Sequence, residues 1–348
     1  LRIAVANNYQ LDEMSRLYAE GSCPSEQLYG VAYLTDLGHE IAITPWQRDV
    51  FGEPLGSIER RIPRRVRELT GPVTYQRAVT NTSKASDVLY SAQADCTQGI
   101  GLLKSIGLFR TPIIGFVHPK YNHSRWSSLS VRSMDRVLCH SAHQANRIHQ
   151  LADVPSNKIE ILHWGPDLHF SGYRVAFGGE GVISSGKARR DLPTLLSAAA
   201  TLPSVRFTIY GNPPPSLIGP NITRGTRSGF LSVLEEVSAS AVVAISIPSD
   251  GGETTGTTGL TELNVAFALG KPVVMTRNPF IDVDIDAEGI GIAVDARDPV
   301  GWARAIQVLI DDPVGAMEMG ARGRKFVEES WNADNFNQHV GAILEVFE

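Results

Sequence analysis

Short apolar runs alternate along the chain with longer stretches in which apolar residues recur every third or fourth position. Arg2-Ile3-Ala4-Val5-Ala6 reads as a buried strand, and a Gly-Ser-containing loop is expected after it. Ser25 to Leu37 then has helical spacing, ended by Gly38, and His39 to Thr44 is the next strand. Asp87 to Tyr90 and Pro112 to Val117 predict further strands, with a helix from Thr97 to Leu108 between them. Asp135 to Cys139 starts another strand, followed by a helix from Ser141 to about Leu151. The alternation resumes at Gly181 to Ser184 and continues with strands at Arg206 to Tyr210, Ala241 to Ile247 and Pro272 to Thr276. Helices are expected around Leu192 to Thr201 and Leu260 to Leu269. Runs of this kind, joined through helices, predict parallel sheets with crossover connections.

A Gly-rich stretch near Gly172 to Gly181 reads as a linker between two halves of similar architecture. The expected organisation is an N-terminal domain over 1–170, a C-terminal domain over 171–331, and an amphipathic helix over 332–348 packing back on the first. Phe336, Val340, Ile343, Leu344 and Phe347 line one face of that helix. A length of 348 residues suits two cores better than one. With 43% hydrophobic and 20% charged residues, the composition is that of a soluble globular protein. A formal charge of -5 gives no reason to expect nucleic acid as a partner. Cys23, Cys96 and Cys139 are far apart, which fits neither a disulfide framework nor a zinc site and suits a reducing compartment. No apolar run nears the roughly 20 residues that span a bilayer. A cytoplasmic location is therefore expected, with peripheral contact at the inner membrane face left open.

Several segments, in order, resemble the retaining GT-B glycosyltransferases of family four. The loop through Gly21-Ser22 and the segment SEQLYGVAYLTDLGHEIAI are similar to that family's Gly-rich loop, first helix and following strand. SDVLYSAQ and TPIIGFVHP resemble its next strands, and MDRVLCHSAHQANRI with NKIEILHWGPDLHF the stretch leading to its hinge. VISSGKARRDLPTLLSA is similar to the donor-phosphate motif, and GLTELNVAFALGKPVVMT to the Glu-rich helix and strand beyond it. The resemblance spans nearly the whole chain. It implies an α/β fold with two Rossmann-like domains facing across a cleft. It also implies transfer of a hexosyl-type group from a UDP- or GDP-sugar, with retention and without a metal or other cofactor. The acceptor, a small molecule, glycan or lipid-linked group, would be held by the first domain.

Such transfer needs fixed cationic groups and backbone donors around a departing diphosphate, because charge develops there in the transition state. Lys187 and Arg190 sit between a strand and a helix, beside Gly186, where such groups belong, and Arg189 is an alternative to either. The bland reading is a solvated basic turn with Arg190 paired to Asp191. The second device is the loop from Gly251 to Leu260, in which Gly256, Thr257, Thr258, Gly259 and Leu260 lead into a helix. A helix N-terminus attracts anions through its free N–H groups and dipole. The family carries two glutamates here, one against the donor sugar and one against the ribose. Counted back from Gly270-Lys271-Pro272, these positions hold Thr257 and Val265. Glu253 and Glu262 are the replacements, the first for sugar and the second for ribose. The alternatives are solvent exposure for Glu253 and, for Glu262, the N3 position of a half capping box behind Gly259.

His118 ends the strand GFVH, and the resemblance sets it against the transferred sugar. Gly21 and Ser22 would line the acceptor side, with Glu26 beside them. The arginines at 60, 61, 64, 65 and 67 could meet an anionic acceptor or membrane, or form a solvated face. His140, His143 and His149 lack the spacing of a metal site. Asp282, Asp284 and Asp286 read as a loop near the donor, and Asn278-Pro279-Phe280 as a contact to the nucleotide. The rivals are a nucleotide-sugar epimerase or phosphorylase on the same fold, a dehydrogenase disfavoured by the missing G-x-G-x-x-G, and a GT-B scaffold that has lost catalysis. Val265 keeps that last reading open.

Overall fold

Strands that are apolar on both faces need cover on both faces, and two such sheets organise this chain. The computed structural model describes residues 1–47, 57–118, 124–186, 189–248 and 256–348. They divide into a first unit, Leu1–Glu20 with Ser25–His163 and Asp334–Glu348, and a second, Gly21–Pro24 with Trp164–Ala333.

The first unit carries β1 (Arg2–Ala6), β2 (Glu40–Ile43), β3 (Val88–Ser91), β4 (Ile113–Phe116), β5 (Arg136–Cys139) and β6 (Ile159–Ile161). They form one parallel sheet ordered β2-β1-β3-β4-β5-β6. Ile3, Ala4, Val5 and Ala6 have no solvent exposure, as the central strand of a sheet covered on both sides requires. Two local expectations fail here. Beyond β1, where a loop was expected, helix Leu11–Ala19 forms; Leu11 is buried and Arg16 bridges Glu13 and Glu20 one turn away on either side. The helix expected from Ser25 to Leu37 is split into a 3-10 turn, Ser25–Leu28, and helix Val31–Asp36. Tyr29 and Gly30 take positive φ angles of 50° and 87° between them. Tertiary packing sets this break: the Tyr29 carbonyl accepts from the Tyr90 hydroxyl at 3.0 Å, and its ring packs edge-on against Phe116 and Phe336. Phe336 belongs to the last helix, Ala333–Glu345, whose Val340 and Leu344 are buried in this unit.

The second unit carries β7 (Val182–Ser184), β8 (Phe207–Ile209), β9 (Ile222–Arg224), β10 (Val242–Ile245), β11 (Val273–Thr276) and β12 (Ile292–Val294). Its parallel sheet is ordered β12-β11-β10-β7-β8-β9. The chain builds outward from β7 to β9, returns to pair β10 against β7, and builds the other way. Order therefore reverses between β7 and β10, the point where open α/β sheets leave a crevice at the strands' carboxyl ends. Trp302, Leu195, Leu196 and Phe207 pack the core beneath. The Gly-rich segment expected as a linker is bonded into this unit through Glu180 N to Ala239 O and the buried Lys271 ammonium to Gly178 O, at 2.8 Å.

Candidate functional site

The loops that follow β7 and β10 converge at the reversal of strand order. Ser246, just beyond β10, accepts from Asp191 N through its carbonyl, and its hydroxyl donates to Asp191 O at 2.6 Å, tying the two loops together. The Asp191 side chain caps helix Leu192–Ala200, accepting from Thr194 N and from the Thr194 hydroxyl at 2.7 Å. It is therefore not the partner of Arg190 that the bland reading assigned. That partner is Glu262, from the first turn of helix Leu260–Ala268. The two side chains are 9% and 8% exposed, and the Ser185 hydroxyl approaches the other Glu262 oxygen at 3.4 Å. Burial lowers the Arg190 pKa to about 10, which still leaves a cation at neutral pH. A Cβ at Gly186 would meet the Arg190 guanidinium and require that side chain to shift.

Gly259 caps helix Leu260–Ala268 in the left-handed region at φ 94°, with no side-chain bond to the first turn. A Cβ at that position would stand 2.7 Å from Ile245 Cγ2, so both conformation and space call for glycine. The half capping box expected for Glu262 does not form, because its carboxylate is turned to Arg190. Both charges line a cavity of about 510 Å³. Its polar side is Ser185, Gly186, Arg190, Thr261 and Glu262; its apolar wall is Phe230, Val233, Leu234, Val237 and Val265. A cation, a carboxylate, a helix N-terminus and a greasy wall around one space suit a ligand with an anionic group, hydroxyls and a flat ring.

Lys187 and Glu253 lie outside the described residues, as do 251–255 of the Gly-Thr loop. Gly256, Thr257, Thr258, Gly259 and Leu260 are placed beside Glu262 at the helix start, and Arg189, exposed, takes φ 53° next to Arg190. Gly21 and Ser22, with Cys23 and Pro24, group with the second unit. Glu26 is buried in the first unit. The Asp282–Asp286 loop carries no metal-type arrangement. Asp284 Oδ1 accepts from the backbone N–H of Asp286 and Ala287, and Asp286 accepts from Ala293 N and pairs with Arg277 at 2.7 Å. Among the described residues no three potential ligands cluster as a metal site. Asn278, read as a nucleotide contact, donates through Nδ2 to the backbone carbonyls of Gly256 and Thr258. Arg60, Arg61, Arg64 and Arg65 are exposed and Arg67 is half-buried.

His118 lies just beyond β4, half-buried, its Nε2 at 3.2 Å from Ala92 O. The residue that sequence reasoning passed over is His140, directly after β5. Its ring centroid is 5.3 Å from that of His118 and 4.4 Å from that of Phe116. It was grouped with the helix that follows, although its position after the apolar run Val137-Leu138-Cys139 matches that of His118 after its own strand. Burial, reinforced by His118 and His163, holds the His140 pKa well below its ordinary value, against a bond to the Leu162 backbone that favours the cation. The unfolded chain takes up that proton near pH 6.5 and the native state only at lower pH. Stability should therefore fall on acidification below about pH 6.5, by up to about 1.4 kcal/mol per pH unit. Urea unfolding of wild type and His140→Gln between pH 7 and pH 5 checks this; an unchanged slope in the variant would remove His140 as the cause.

No family model and no curated protein sequence matches the chain. Among solved structures, sucrose-phosphate synthase from Thermosynechococcus elongatus superposes with a TM-score of 0.73 at 15% identity, over 99% of this chain and 98% of that one. A glycosyltransferase from Rickettsia africae gives 0.68 at 12% identity, over 99% and 97%. Anabaena HepE, crystallised with UDP and glucose, gives 0.65 at 14% identity, over 99% of each chain. Together with the two six-stranded sheets, this likeness establishes a two-domain GT-B fold of Rossmann-like units.

Proposed function

We propose that the chain is a glycosyltransferase that uses a UDP- or GDP-sugar as donor and retains the anomeric configuration. The observation that carries the reading is the buried Arg190–Glu262 pair lining an open cavity where strand order reverses in the second unit. HepE, a neighbour in fold, has been crystallised with UDP and with UDP-glucose. In this reading Arg190, joined by Lys187 and Arg189, neutralises the leaving diphosphate, while Gly186 and residues 256–260 bring backbone amides to it. Glu262 accepts from the ribose hydroxyls, and Glu253 holds the sugar. His118 positions that sugar, and Gly21-Ser22 contributes to the donor side, in keeping with the unit it joins. The bond from the anomeric carbon to the phosphate oxygen breaks as the acceptor oxygen bonds to that carbon. The acceptor proton passes to the departing diphosphate, so that no separate base and no metal is needed. No helix of the described residues is long and apolar enough to cross a membrane, and a small-molecule, glycan or lipid-linked acceptor fits the reading equally.

One observation favours a binding protein that has lost turnover: Val265, where the resemblance expects a glutamate, is an apolar part of the cavity wall. Glu262 faces the same cavity one turn earlier, which restores the missing acceptor. Calorimetry with UDP and GDP, followed by donor hydrolysis and transfer with and without EDTA, separates the two. Arg190→Gln keeps a hydrogen bond to Glu262 but removes the cation, and should weaken diphosphate binding about tenfold or more. Wild-type protein that binds neither nucleotide at millimolar concentration would end the proposal; binding without turnover would favour the scaffold.

A further inference from the structure

We infer that Asn278 is a positioning residue for the donor's phosphates, acting through the backbone of residues 256–259; the inference rests on the nucleotide-sugar reading of this unit. Asn278 lies two residues beyond β11, the neighbour of β10 in the sheet. Its Nδ2 donates to Gly256 O at 2.8 Å and to Thr258 O at 3.3 Å. Its Oδ1 accepts from Phe280 N at 3.0 Å, which fixes which end of the amide faces the loop. A second bond joins the same two strand ends, the Thr276 hydroxyl accepting from Ile247 N at 3.1 Å.

The consequence follows from peptide geometry. In a planar trans peptide the C=O and the next residue's N–H point in opposite directions. Holding the Gly256 and Thr258 carbonyls on Asn278 therefore turns the N–H groups of Thr257 and Gly259 away from it. No side chain caps the helix that begins at Leu260, and Glu262 is held by Arg190 rather than reaching back to the first turn. Leu260 N donates to Thr257 O at 3.0 Å, which leaves the N–H groups of Gly259, Thr261 and Glu262 for an anion at the helix start. A neutral amide is the right group for the task. It donates two bonds to carbonyls without adding a charge near the phosphates, whereas a carboxylate would donate none and repel both.

The test compares UDP, or GDP if that is the nucleotide bound, with the corresponding nucleoside on wild type, Asn278→Asp and Asn278→Ala. Nucleoside affinity is read by ligand-observed NMR and diphosphate affinity by calorimetry. Both variants should lose about tenfold or more in diphosphate affinity, the aspartate more than the alanine, with nucleoside affinity changed less than about twofold. Equal losses for nucleoside and diphosphate would show a merely structural role and overturn the inference. Retained diphosphate affinity in both variants would overturn it as well. If wild type binds neither nucleotide, the proposed function fails first and the inference with it. A thermal melt of each variant identifies an unfolded sample, and either variant alone carries the comparison.

Discussion

Replacing Glu262 by alanine should lower the stability of the second unit by about 3–5 kcal/mol, because it strands the Arg190 guanidinium, whose side chain is only 9% exposed, without its carboxylate. Breaking one half of a buried pair leaves an uncompensated charge, whereas removing both halves does not. Arg190→Met combined with Glu262→Leu should therefore recover most of the loss. Urea unfolding followed by tryptophan fluorescence reads the difference, since Trp302 is fully buried in the same unit. Nucleotide binding should respond in the opposite sense. The double variant, although stable, should bind UDP and GDP much more weakly than wild type, because it has lost the Arg190 cation and the hydroxyl acceptor and keeps only Lys187 and Arg189 for the diphosphate. A stable double variant that still bound a nucleoside diphosphate with wild-type affinity would place the ligand elsewhere.

The second large effect is expected at Lys271, which has no solvent exposure. Its ammonium donates to Gly178 O at 2.8 Å, Ser238 O at 2.5 Å and Ser240 O at 2.9 Å. It thus joins the Gly-rich segment and the end of helix Phe230–Ala239 to the start of β11. Burial draws its pKa down to about 8. Lys271→Met relieves the cost of a buried cation but leaves three carbonyls without their donor, at about 1–3 kcal/mol each. The carbonyls outnumber the charge, so a net loss of about 2–4 kcal/mol is expected. The pH dependence identifies the group. The native state releases this proton near pH 8, and the unfolded chain near pH 10.4. Across that window the unfolded chain holds more protons, so wild-type stability should gain from rising pH, and Lys271→Met should lack the gain. A variant as stable as wild type at pH 7 would show that the three bonds do no more than offset the cost of burying the cation.

The central strands were legible because parallel strands covered on both faces appear as unbroken apolar runs, as in Ile3 to Ala6 and Val242 to Ile245. The edge strands β6, β9 and β12 were not: β7 and β8 are as short but mostly buried, whereas these three are only partly buried, and β6 and β9 lack an apolar run. Helix Leu11–Ala19 is hard to read because it is only nine residues long and buries Leu11 alone, although Leu11, Met14 and Tyr18 recur at helical spacing. At the site, the residue types were readable while their partners were not. Arg190 and Glu262 were each picked out for a ligand, and each had a bland local partner, Asp191 or the Gly259 cap. Both local partners gave way to an ion pair between residues 72 positions apart.

What the sequence by itself determined was the alternation of buried strand and helix, and with it the loops in which cationic, acidic and glycine-rich residues follow a strand. Those are local properties, set by periodicity and by which residues tolerate a turn. Only the tertiary structure decided that β10 lies against β7, since pairing between strands some 60 residues apart leaves no local trace. That adjacency brings Arg190 to Glu262, and the pairing of β11 with β10 lets Asn278 reach the carbonyls of Gly256 and Thr258. Burial then does what position in the chain cannot: it leaves both side chains under a tenth exposed, so that each charge is set against the other.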